Sequence, residues 1–105
     1  MSFSRFWPRY LRAHSNPKTR ACHVAGTLVA TALVVTAAAT RKPLLAAAAL
    51  IAGYGPAWFS HAFIERNKPE TFRAPLASLA ADYLMAWHVL RGTIGDQYAA
   101  IGGAE

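Results

Sequence analysis

The sequence predicts an all-α fold: a membrane helical hairpin with an N-terminal interfacial helix and a third C-terminal helix. Three observations lead there. Residues 21–40 and 43–64 contain no Asp, Glu, Lys or Arg, although the 105-residue chain carries eleven basic and five acidic side chains. At 1.5 Å per residue, roughly 20 helical residues cross the ~30 Å hydrocarbon core, so both stretches are long enough to span it. Helix punctuation brackets them, with Asn16-Pro17 before the first and Arg41-Lys42-Pro43 between the two, and no strand alternation occurs anywhere. The length supports one domain, residues 1–105. A buried soluble hairpin, suggested by the many alanines, is the alternative. So short a chain could hardly cover two such helices on every face.

Each element has its own justification. In residues 1–13, Phe3, Phe6, Trp7, Tyr10 and Leu11 follow helical spacing while Arg5, Arg9 and Arg12 fall elsewhere around the wheel. This predicts a short helix with aromatics in the headgroup region and arginines toward anionic lipid; packing on its own domain is the alternative. Pro8 is tolerable if Ser4 caps the helix. The first spanning helix runs over 17–40, with Asn16 as N-cap, Pro17 at its first position, and Gly26 and Ala30 on a small-residue face suited to another helix. The second covers 44–66, with a kink expected at Pro56 and an end before Pro69. Residues 67–75 are an irregular connection. A third helix over 75–91 has Pro75 in its first turn and Gly92 at its end, and Ile101–Glu105 reads as a loose tail.

The net charge of +6 could mean nucleic acid, anionic lipid or an anionic substrate. Because the basic residues crowd into the flanks of apolar spans, the expectation is an integral membrane protein with no nucleic-acid partner. Cys22 is the only cysteine, which excludes an internal disulfide. A secretory signal fits poorly, since the apolar run begins late and contains His23.

Four histidines are many for so apolar a chain. His14 precedes the first long helix, His23 lies near its start, and His61 lies near the end of the second. In an antiparallel hairpin those three positions share one membrane face. Glu65 stands four residues after His61 and points to the same side. Three neutral imidazoles with a carboxylate nearby suit iron or zinc. Taken singly, each histidine reads as a capping or interfacial residue; together they predict a metal site. His88 joins them only if the third helix folds back. The surrounding basic residues orient this face toward the cytoplasm. Arg20 and Arg66 are best placed to hold a substrate carboxylate.

The blocks His14-Ser15-Asn16-Pro17-Lys18-Thr19-Arg20, His23, Gly26-Thr27, Gly53-Tyr54, Trp58, His61, Glu65-x-Asn67-x-Pro69-x-Thr71-Phe72, Pro75, Ser78-Leu79 and Asp82 resemble the small membrane proteins related to the fungal 2-hydroxy fatty acid dioxygenase. That family is named for the metabolism of phytosphingosine to odd-numbered fatty acids. The resemblance covers about residues 3–92. It implies an Fe(II)-dependent dioxygenase of fatty acid α-oxidation, acting on a 2-hydroxy fatty acid and O2 and shortening the acyl chain by one carbon. Carried over, the metal ligands are His14, His23 and His61, Glu65 takes the family's adjoining acidic position, and Asn16, Asn67 and Asp82 support the ligands. Ser60 stands where a glycine is common, and His88 lies outside the pattern. Two other classes stay open on the sequence: a non-catalytic membrane protein assembling with itself or a partner, and a zinc-dependent lipid hydrolase.

Overall fold

The computed structural model describes residues 2–69 and 73–102, and among these the only regular elements are helices. Helix α1 spans Phe3–Ala13, α2 Pro17–Thr40, α3 Pro43–Ser60, α4 Pro75–Arg91 and α5 Ile94–Ala100; a π-helical turn, His61–Glu65, extends α3. Helices α2 and α3 form the antiparallel hairpin. Their turn is made by Arg41 in the left-handed region (φ 55°), and the Arg41 and Lys42 N–H groups both donate to the Ala37 carbonyl. With its π turn, α3 gives a second apolar helix over Pro43–Glu65, and both hairpin helices are long and apolar enough to cross a membrane.

Small residues set the hairpin's spacing. A Cβ placed on Gly26 would lie 3.0 Å from the Ala52 carbonyl oxygen and 3.1 Å from that of Gly53, and one on Gly53 would lie 3.3 Å from the Ala30 Cβ. The small-residue face of α2 is therefore used within the chain, against α3. Most of the hairpin's remaining surface is exposed hydrocarbon, including Leu28, Val29, Leu44, Leu50, Ile51 and Phe63.

Helix α1 corrects one expectation. Its aromatic stripe is turned into the protein instead of toward headgroups: Phe6, Trp7, Tyr10 and Leu11 form the hydrophobic core together with Ala81 and Met85 of α4 and Tyr98 of α5. The reason is that α4 and α5 supply an apolar surface for the stripe, and Trp7 Nε1–H finds a buried-side acceptor, Gln97 Oε1, at 3.1 Å. The helix also starts earlier than a Ser4 cap would allow, with Ser2 at the N-cap and Pro8 inside it. Helix α3 stays α-helical through Pro56. The change of pitch comes later, at His61, where one extra residue per turn redirects the chain into Arg66 (φ 59°) and Asn67. Helix α5 has no counterpart in the sequence reading, and the tail beyond Gly102 and Glu70, Thr71 and Phe72 of the connection lie outside the described residues.

Candidate metal centre

The three histidines come from three different local structures. His14 is the C-cap of α1, His23 lies in the second turn of α2, and His61 opens the π turn. All three are buried, at 1%, 6% and 1% exposure. Their ligand nitrogens fall within 4.8 Å of one another. His14 Nε2 is central, 3.2 Å from His23 Nε2 and 3.0 Å from His61 Nε2. Two bonds of about 2.0–2.1 Å from one ion place neighbouring nitrogens roughly 3.0–3.4 Å apart, and the two separations from His14 fall in that range.

The opposite ring nitrogens decide the protonation state. His14 Nδ1 lies 2.7 Å from the Tyr10 carbonyl, which only accepts, so it carries the proton. His61 Nδ1 faces Asn67 Oδ1 at 2.5 Å, and the amide's orientation is fixed because Nδ2 donates to the Ala13 carbonyl at 3.1 Å. His23 Nδ1 faces the Asp82 carboxylate at 3.4 Å. With every Nδ1 turned to an acceptor, all three Nε2 atoms present lone pairs to one another. A proton on His14 Nε2 would make a buried imidazolium. Burial, and then the neighbouring His23, hold the His14 pKa well below the usual range and oppose this. Unsatisfied buried acceptors cost roughly 1–3 kcal/mol each, so lone pairs that face one another are relieved by a shared positive charge, a metal ion or a proton. The three buried histidines could hold a metal ion, and neutral imidazoles are suitable ligands for iron or zinc.

Tyr10 and Asp82 bind the site to the core. Tyr10 O–H donates to Asp82 Oδ1 at 2.5 Å, and its ring stacks on His14 at 4.0 Å between centroids. Burial, followed by the Asp82 charge, raises the Tyr10 pKa well above its ordinary value and keeps it a donor. Glu65 stands apart from the three histidines: its carboxylate accepts from the Asn16 N–H at 2.8 Å and from Ser15 O–H at 3.3 Å. Asn16 itself caps α2 by accepting from the Lys18 N–H at 2.8 Å. Both residues thereby fix the turn that carries His14.

That turn is braced again from its carbonyl side. Arg20 Nη1 donates to the carbonyls of His14 and Ser15, each at 2.9 Å, and its guanidinium lies 4.7 Å over the Tyr98 ring. Tyr98 O–H donates to the Leu11 and His14 carbonyls at 2.6 and 2.8 Å. Arg66 is exposed in the turn after the π segment. His88 is elsewhere, with its Nδ1 2.8 Å from Thr93 Oγ1 and its ring beside Trp7. Sequence reasoning missed Tyr10 and Tyr98 as parts of this site. Their signals were present: Tyr10 is one helical turn before His14, and Ile94, Tyr98 and Ile101 follow helical spacing after Gly92.

Comparison with known families is decisive at this point, because the model of the Mpo1-like family, described as 2-hydroxy-palmitic acid dioxygenase Mpo1-like, matches residues 1–94. The chain belongs to the Mpo1-like family. No curated protein and no solved structure matches it. The part of this Mpo1-like chain covered by the match contains all three histidines together with Tyr10, Asn67 and Asp82, and it stops at the first residue of α5. Tyr98 therefore braces the His14 turn from outside the matched region.

Proposed function

We propose that this protein is an Fe(II)-dependent dioxygenase that shortens 2-hydroxy fatty acids by one carbon, working at the cytoplasmic face of a membrane crossed by α2 and α3. The observation that carries the proposal is the set of three buried Nε2 lone pairs, each fixed by an acceptor on the opposite ring nitrogen, in a chain of the Mpo1-like family. His14, His23 and His61 are the ligands. Fe(II) held by them supplies the redox chemistry with O2 and a positive centre for the substrate's carboxylate and 2-hydroxyl.

The chain's own residues position this chemistry. Asn67 and Asp82 orient the rings of His61 and His23, and Tyr10 orients His14 through its carbonyl and its ring. Helices α1, α4 and α5 cover the histidines and exclude water from them. Glu65, Asn16 and Arg20 hold the His14 turn, and Arg66, exposed beside the π turn, is the cation that meets an arriving carboxylate. The sidedness follows from Arg5, Arg9, Arg12, Lys18, Arg66 and Lys68 at the histidine end, against Arg41 and Lys42 at the turn.

Incubating protein loaded anaerobically with iron with 2-hydroxypalmitate and O2 tests the assignment. The expected product is the acid one carbon shorter, lost in His61→Ala. Absence of that product, or equal activity in the variant, rejects it. One observation favours a second reading, a zinc-dependent lipid hydrolase. With Glu65 engaged elsewhere, the first ligands are three imidazoles, a set that zinc enzymes also use. Activity with zinc and without O2 would select it.

A further inference from the structure

The hairpin carries a cavity of about 340 Å³ that begins at the histidine centre and runs down the apolar faces of α2 and α3. Its upper end is polar, formed by His23 and Asp82 with Thr27 one turn below. The lower end is hydrocarbon, formed by Val34, Val35, Ala46 and Leu50. From His23 to Val35, twelve residues of helix span about 18 Å. That is close to the roughly 15 Å that one leaflet contributes to the ~30 Å hydrocarbon core. Tyr83 of α4 reaches across to α2, its hydroxyl 2.5 Å from Thr31 Oγ1, and roofs the upper half. Below that bridge the lining is exposed at Val34, Val35 and Leu50.

We infer that this cavity is the site for the substrate's acyl tail, with the acid head at His23 and the tail end between Val35 and Ala46, entered sideways from the leaflet. The inference rests on the function proposed above and adds where the chain lies and which residues meet its end. Four features point to an acyl chain. The ionisable groups are confined to one end, the Thr31 and Tyr83 hydroxyls midway are bonded to each other, the far end offers hydrocarbon alone, and the length is close to that of one leaflet's acyl chains. The small side chains at Ala30, Ala46 and Ala49 leave the groove open for it.

The test is photolabelling in nanodiscs with 2-hydroxyhexadecanoic acid bearing a diazirine at its methyl end, followed by peptide mapping. The predicted label falls on Val34, Val35, Ala46 and Leu50, is competed by unlabelled 2-hydroxypalmitate, and drops at least about fivefold in Ala46→Trp but not in Leu44→Trp, at an exposed position outside the lining. Label spread over Leu28, Val29, Leu44 and Ile51, or label that is not competed, overturns the inference, as does an equal effect of the two tryptophans. Val35→Trp repeats the block from the opposite wall. Because labelling needs no turnover, correct labelling without chain shortening rejects the proposed reaction and leaves the groove. Chain shortening with label elsewhere rejects the groove alone.

Discussion

The chemistry of the site is decided by which nitrogen of each imidazole carries the proton. Asp82 matters most among the supports, because one carboxylate serves both His23 and Tyr10, and Tyr10 in turn holds His14. Asp82→Asn removes that charge and is predicted to weaken metal binding about 10- to 100-fold, measured by competition with a chromophoric chelator. Unchanged affinity would show that the carboxylate does not support the ligands. Histidine positions and their shared face follow from the sequence because an antiparallel hairpin brings the start of one helix to the end of the next. The placement of Glu65 did not follow. Four-residue spacing puts it on the side of His61, but the unpaired N–H of Asn16 at the neighbouring helix start captures the carboxylate.

Helices meet where side chains are smallest, and Gly26 shows how closely. Gly26→Ala would gain up to about 1 kcal/mol of helix propensity. It would also place a methyl group 3.0 Å from the Ala52 carbonyl oxygen, so the backbone of α3 would have to give way. Overpacking of this kind costs about 1–3 kcal/mol, so the net prediction is destabilisation, read as a lower midpoint of unfolding in detergent. Gly55→Ala, with nothing within 4 Å of the added carbon, is the matched control and should be neutral or slightly stabilising. The charge-free runs, the Asn16 cap and Pro75 in a first turn revealed the hairpin and the third helix. The orientation of α1 was not readable, since the same aromatic stripe suits headgroups or a protein core. The choice depends on α5, where the helical spacing of Ile94, Tyr98 and Ile101 is present but spans only a seven-residue helix, too short a run to mark it off from a tail.

Two halves with different surfaces make up the molecule. At the histidine end, α1, α4 and α5 build a conventional core around Phe6, Tyr10, Met85 and Tyr98. Toward the α2–α3 turn the hairpin leaves hydrocarbon uncovered on helices long and apolar enough to cross a membrane. In the proposed function, the tail of the substrate lies in the apolar half and its acid head at the buried imidazoles. The charge distribution belongs to the same division, with most basic residues at the covered end. The central claim is that His14, His23 and His61 together hold iron. X-ray absorption at the iron edge of the purified, iron-loaded protein tests it directly. Three imidazole nitrogens in the first coordination sphere, falling to two in His61→Ala, is the predicted result; iron without imidazole scattering, or a sphere unchanged by that substitution, would contradict it.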